Sequence, residues 1–212
     1  MEHDSIRIFR REDRVSVLGP GVRAVIWVQG CSLACPNCIV PESWDHDAGE
    51  SLTISSLADW YLSLTDSEGL TISGGEPMLQ AKALCELIGS IRRSRDVGIV
   101  CYTGFTYEHL VRSGTPDQQS LLGCIDLLID GAYIESKHAS LLWRGSANQR
   151  LMVLSPRYAE YIEQRLALGD VTDGVEFSVS AESTVGFVGV PPVPGFRADF
   201  EERIKKRGVK LA

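Results

Sequence analysis

Val28-Gln29-Gly30-Cys31-Ser32-Leu33-Ala34-Cys35-Pro36-Asn37-Cys38 is the stretch from which the rest of the chain is read. It continues an apolar run, Ala24 to Val28, of the kind that forms a buried strand. Three cysteines spaced Cys-x3-Cys-x2-Cys leave that strand in one tight loop. They can bring three thiolates to a small volume, a donor set suited to a soft metal centre. Structural zinc requires a fourth close ligand, and no further Cys or His stands at the usual pair spacing. A 4Fe-4S cluster on three thiolates keeps one iron open to a small molecule, and the chemistry is expected there. A zinc loop completed by a distant ligand and thiols that only pack are the other readings of the triplet. His46 is the nearest candidate for a fourth ligand, but Asp45 and Asp47 beside it read as a solvated turn.

Composition narrows the class. The chain has 212 residues, 44% hydrophobic and 23% charged, enough for one globular domain with a real core. A net charge of -7 argues against a nucleic-acid partner, because phosphate neutralisation needs clustered Lys and Arg. There is no apolar run long enough to cross a bilayer and no secretory signal in the charged first residues, so the expected location is cytoplasmic, with no membrane partner. Six cysteines, half of them in one ligand loop, suit a reducing compartment better than a disulfide framework.

Outward from the cysteines, the chain alternates strand-like and helix-like segments. Residues 5 to 18 read as one or two edge strands with a turn at Glu12-Asp13. Arg23 to Val28 is the first core strand, and Ser51 to Leu64 is a helix with Leu57, Trp60, Tyr61 and Leu64 on one face. Leu70 to Ser73 is a second strand, and Gly74-Gly75-Glu76-Pro77 follows at once, opening a helix with the stripe Ala81, Leu84, Cys85, Ile88 and Ile91. The glycines lack Cβ and let backbone approach a ligand closely, and Glu76 adds or orients negative charge near a bound amino group. Val97 to Tyr102 and Cys124 to Asp130 are further strands, the first leading into Thr103-Gly104. A short helix is expected over 119–122, an irregular segment over 133–143, and a strand over Leu151 to Leu154. Ser155-Pro156 starts a helix to about Leu168. A hairpin, Val175 to Ser180 and Val185 to Val188 around a turn at 181–184, precedes a Pro-rich linker and a helix striped by Phe196, Phe200 and Ile204.

The cysteine triplet Cys31, Cys35, Cys38 resembles the cluster motif of radical S-adenosylmethionine (SAM) enzymes. Ser73-Gly74-Gly75-Glu76-Pro77 resembles the SAM-binding motif that follows it in that superfamily. Gly19 to Arg23, Tyr102 to Gly104, Ile125 to Gly131 and Arg144 to Arg150 are similar to segments of the anaerobic ribonucleotide reductase activating group, a glycyl-radical activase family. The resemblance spans roughly residues 19 to 155 and implies two cofactors, one 4Fe-4S cluster and S-adenosyl-L-methionine. It implies Cys31, Cys35 and Cys38 as cluster ligands, Ser73, Gly74, Gly75, Glu76 and Pro77 against the methionine part of SAM, and Tyr102 and Thr103 near SAM. Trp44 would shield the cluster. Two further residues are candidates on their chemistry. The carboxylate of Asp130 can hold a cationic amino group or position an arginine, and the guanidinium fork of Arg144 matches the SAM carboxylate. No side-chain acid or base beyond cluster and SAM is required.

The expected fold is α/β, an incomplete TIM-type (β/α) barrel with a C-terminal β-hairpin and helix, in a single domain. Residues 1–22 supply N-terminal edge strands, 23–170 the partial-barrel core, and 171–212 the hairpin, linker and helix. The implied activity is an anaerobic oxidoreductase that cleaves SAM reductively and abstracts a substrate hydrogen, with a glycyl radical enzyme as partner and a flavodoxin- or ferredoxin-type reductant. Action on a small molecule or peptide, and a metal protein without SAM cleavage, are the alternatives.

Overall fold

The computed structural model describes residues 4–179 and 184–211. The chain begins with β1 (Ser5–Val15), one continuous strand antiparallel to β2 (Arg23–Val28). The turn expected at Glu12-Asp13 is absent. Register shifts between Ile8 and Arg10 and between Glu12 and Val15 absorb the polar stretch while both halves keep pairing with β2. Nor is β1 an edge, because the short β3 (Glu50–Thr53) pairs along its far side. Thr53 then caps α1 (Ile54–Ser63), accepting from the Ser56 amide at 3.1 Å.

The core continues through β4 (Gly69–Gly74), α2 (Ala81–Arg92), β5 (Gly98–Thr103), α3 (Tyr107–Ser113), α4 (Pro116–Leu122) and β6 (Leu127–Asp130). α4 starts earlier than expected because Thr115 and Gln118 form a reciprocal capping box with Pro116 at the first helical position. The segment 133–143 is more ordered than expected. It contains β7 (His138–Leu141), which pairs antiparallel with β8 (Arg144–Ser146). β9 (Arg150–Val153), α5 (Ala159–Ala167), β10 (Val175–Val179), β11 (Thr184–Gly189), α6 (Phe196–Lys205) and β12 (Lys210–Leu211) complete the chain.

The main sheet has seven strands in the order β3-β1-β2-β4-β5-β6-β9. β2, β4, β5 and β6 run parallel, and β9 returns antiparallel to β6. The reversal has a topological cause. A parallel return needs a crossover element, and between β6 and β9 there is only the β7-β8 hairpin. The architecture is therefore α/β with an open mixed sheet.

Period-two alternation sorts the β2 side chains. Ala24, Ile26 and Val28 join Leu57, Tyr61, Leu84, Ile88 and Ile91 under the helices, while Val25 and Trp27 join Val15, Val17 and Leu18 on the other face. Further along that second face, Val100, Leu127 and Ile129 pack with Leu142, Trp143, Tyr158 and Ile162. Cys85, expected in the α2 core stripe, is only half-buried. It lies at the helix flank with its Sγ 3.2 Å from that of Cys124, and Leu87 takes a buried position.

The amino ends of the parallel strands are locked by Arg23, which is fully buried. Its guanidinium donates to Thr71 Oγ1 (2.7 Å), Tyr158 Oη (2.9 Å) and the carbonyls of Leu70 (2.8 Å), Gly98 (2.8 Å) and Pro20 (3.1 Å). Gly69 leaves the room for this group, since a Cβ there would lie 2.4 Å from Nη1.

The C-terminal hairpin forms as expected, β10 against β11 from Val175↔Gly189 to Val179↔Val185, with β12 added in parallel. The turn expected over 181–184 lies outside the described residues, except for Thr184, which begins β11. No helix among the described residues is long and apolar enough to cross a membrane.

Candidate metal and cofactor site

All four parallel strands end on one side of the sheet, where α/β folds place ligands. Three of these ends carry a glycine at positive φ: Gly30 (95°) beyond β2, Gly74 (106°) closing β4, and Gly131 (98°) after β6. The chain turns sharply away at each, and a cavity of about 530 Å³ opens between the turns.

The cysteine loop forms one wall. Ala34 and Asn37 both adopt left-handed backbone (φ 42° and 57°), which folds the segment tightly enough to aim Cys31, Cys35 and Cys38 at the same cavity. The loop is anchored by the Gly30 amide on Ser43 O (2.8 Å) and the Cys31 amide on Trp44 O (3.0 Å). Trp44 also lines the cavity. Burial pushes the Cys31 thiol up, and burial followed by its neighbours Cys38 and Cys31 does the same for Cys35. Three thiolates gathered here need a positive centre to hold them ionised, which fits a cluster. Among the described residues, no three His, Cys, Asp or Glu side chains converge on the position of one metal ion. A tetrairon cluster does not ask for that, since each thiolate binds its own iron.

The glycine-rich loop is joined directly to the cysteine loop. The Gly75 amide donates to Val28 O (2.7 Å) and the Glu76 amide to Gly30 O (2.8 Å). A side chain at Gly75 would put its Cβ 2.3 Å from Gly30 O, so the approach depends on glycine. Ser73, Gly74, Gly75 and Glu76 line the cavity with Tyr102, Thr103 and Gly104 from the end of β5.

Glu76 is engaged within the protein. It is 1% exposed, and its carboxylate accepts from Met78 N (2.9 Å), Thr103 Oγ1 (2.8 Å) and Gly104 N (2.8 Å). Burial raises its pKa, while these three bonds oppose the rise. Its carboxylate ties the end of β4 to the end of β5 and holds the cavity's shape. Pro77 opens a 3-10 turn, Pro77–Gln80, capped by Glu76, and does not line the cavity.

Asp130 and Arg144 do not line the cavity either. Asp130 is fully buried, accepting from the Tyr107 amide (2.7 Å) and Arg150 Nε (3.0 Å), so it holds the start of α3 and positions an arginine. Arg144 pairs with Asp170 and donates to Leu142 O (3.2 Å) and Gln149 O (3.4 Å), which keeps its guanidinium in the β7-β8 corner. His46 supports the cysteine loop from behind through Ser32 Oγ (3.1 Å).

Reading along the sequence missed Arg10, His138 and Arg197, all of which line the cavity. None stands in a local motif, so only the fold brings them there. Buried and without a hydrogen-bond partner are Tyr102 Oη, His138 Nε2 and Arg10 Nε. Three orphaned polar atoms on residues of one cavity fit a polar ligand of the size and character of SAM.

Residues 17–152 match the family model described as a 4Fe-4S single cluster domain. The chain belongs to this family. It is similar to proteins named anaerobic ribonucleoside-triphosphate reductase-activating protein. The one from Haemophilus influenzae is 36% identical over 142 residues, 62% of this chain and 87% of the relative. That of Enterobacteria phage T4 is 31% identical over 140 residues, 64% of this chain and 86% of its own length. That of Vibrio cholerae is 36% identical over 141 residues, 63% and 88% respectively. The family match ends before α5, yet Val188 to Ala198 of the C-terminal segment lines the same cavity.

Proposed function

We propose that the chain is a radical SAM oxidoreductase whose substrate is a glycine on a glycyl radical enzyme of the anaerobic ribonucleotide reductase kind. The observation that carries this reading is the direct joining of the two loops, Gly75 N to Val28 O and Glu76 N to Gly30 O, at the carboxyl ends of the parallel strands. The names of the relatives support the activase role. On this reading Cys31, Cys35 and Cys38 hold a 4Fe-4S cluster with one open iron, and the four parallel strands are the incomplete barrel of the superfamily. When bound, the reduced cluster would supply one electron to the sulfonium of SAM, whose carbon–sulfur bond would break to give methionine and a 5'-deoxyadenosyl radical able to abstract hydrogen.

The chain's own residues bind, orient and exclude water. Gly74 and Gly75 expose backbone to the amino-acid moiety of SAM, and Ser73, Tyr102 and Thr103 border it. Glu76 fixes the spacing between the ends of β4 and β5. Trp44 and Leu33 shield the cysteine loop. A flavodoxin- or ferredoxin-type protein in a reducing cytoplasm is the proposed electron source. A second reading, a small-molecule or peptide substrate, draws on the C-terminal segment that walls the cavity beyond the family-matched span.

The test is anaerobic: reconstitute the cluster, reduce with dithionite, add SAM and quantify 5'-deoxyadenosine, with Cys35→Ala as control. Wild-type protein is expected to form the product and the variant none. A protein that takes up zinc in place of iron and sulfide and leaves SAM intact would sink the reading.

A further inference from the structure

Six ionisable side chains other than the cysteines and tyrosines line the cavity: Arg10, Glu42, Glu76, His138, Arg197 and Glu201. Most of this charge is already engaged. Glu76 is occupied by Met78, Thr103 and Gly104. Glu42 and Glu201 both pair with Arg197, whose Nη1 also donates to Ile39 O at 2.6 Å. His138 Nδ1 lies 3.1 Å from the Tyr133 hydroxyl. Of the two arginines, Arg10 is the less engaged. Among the described residues its only acidic neighbour within 4 Å is Glu12, at 3.9 Å, and its Nε is buried without a hydrogen-bond partner.

The Arg10 guanidinium lies over the Trp27 ring, 4.5 Å from the centroid, so its plane is held in place before any ligand arrives. Burial lowers its pKa, Glu12 opposes the change, and the positive charge of Arg197 adds to the lowering. The neighbouring walls are apolar, with Phe9, Leu18, Val188 and Phe196. A half-buried cation with an unused Nε donor, set against apolar walls, calls for an organic anion. A planar fork selects a carboxylate.

We propose that Arg10 is a carboxylate-binding site of this cavity. The proposal rests on the radical SAM reading for what the carboxylate belongs to: the amino-acid end of SAM, or the molecule that gives up the hydrogen. Arg10 lies outside the family-matched residues 17–152, so the site is supplied by the flanking strand β1.

The experiment compares wild-type holoenzyme with Arg10→Gln, checked for an unchanged urea midpoint, under anaerobic conditions. One arm measures the affinity of SAM and of decarboxylated SAM by equilibrium dialysis. The other follows tryptophan fluorescence, to which Trp27 contributes, during titration with acetate or acetamide in the presence of SAM. Arg10→Gln is expected to weaken SAM at least about tenfold and decarboxylated SAM hardly at all if the partner is the SAM carboxylate. A saturable response to acetate but not acetamide, lost in Arg10→Gln with SAM affinity unchanged, assigns the site to the substrate's carboxylate. Unchanged SAM affinity together with no acetate-specific response overturns the proposal. A wild-type protein that forms no 5'-deoxyadenosine but keeps the acetate response would overturn the radical reading alone.

Discussion

The two ends of the parallel strands are built on opposite principles. At the amino end, one buried guanidinium is shared among five oxygen acceptors, and Arg23 binds β2, β4, β5 and Tyr158 into one satisfied unit. At the carboxyl end, glycines at positive φ turn the chain apart, three thiols stand together, and Tyr102, His138 and Arg10 each keep a buried polar atom without a partner. The same strands therefore carry a closed end and an open one. The lesson is that unsatisfied chemistry at one end is tolerable because the other is fully satisfied. On the proposed function, a site that receives a cluster and a polar ligand cannot complete its own hydrogen bonds in advance.

If the amino end is the lock, breaking it should be the most destabilising change. Arg23→Leu leaves several buried oxygens without donors, at about 1–3 kcal/mol each before relaxation, so urea unfolding should show a loss of at least about 3 kcal/mol. A loss below about 1 kcal/mol, the scale of an ordinary surface change, would break the comparison.

At the carboxyl end, Gly75→Ala should cost less in stability and more in chemistry. Its Cβ would meet Gly30 O at 2.3 Å and Ser43 O at 3.0 Å, both backbone atoms that cannot swing aside. The expected penalty is about 1–3 kcal/mol in the apo-protein. Iron content after reconstitution should fall with it, because the strain lands on the loop that carries Cys31. Normal iron loading in a stable variant would separate the two loops that the structure joins.

The smallest effect belongs to the rim of the open end, where Glu108 pairs with Arg150. The hydrogen bond and charge of Arg150 pull the Glu108 carboxyl from its ordinary 4.5 down to about 2. A depressed carboxyl stabilises the fold above the unfolded value, and the contribution is lost as pH falls from about 4.5 through 2. Glu108→Gln should therefore lower the urea midpoint slightly at pH 7 and close the gap with wild type near pH 2. A gap that persists at pH 2 would show that the pair is not its source.

The cysteine triplet, the Gly74-Gly75-Glu76 turn and their place after strands were legible in sequence because each is local. A three-thiol loop and a glycine hinge declare their chemistry within ten residues. The C-terminal hairpin was legible for the same reason, through alternation on both sides of a turn. Local reading went astray where a side chain's partner is distant in the chain. Arg144 reads as a free fork, but Asp170, twenty-six residues on, takes it. For Asp130 the sequence offers an amino group or an arginine as partner, and the structure supplies the arginine, Arg150, together with the Tyr107 amide. Arg10 reads as one more charge on an outer strand.

What the sequence determined by itself is the donor set and the order of elements: three cysteines in one loop, glycines at the following strand end, and enough apolar periodicity for an α/β core. Only the tertiary structure decided which polar groups remain available. It runs β9 antiparallel, inserts β1 beside β2 and folds α6 back over the cysteine loop through Arg197. Hydrogen-bond satisfaction is a property of the whole packed molecule. A residue's freedom to bind a ligand is what remains after every long-range neighbour has made its claim.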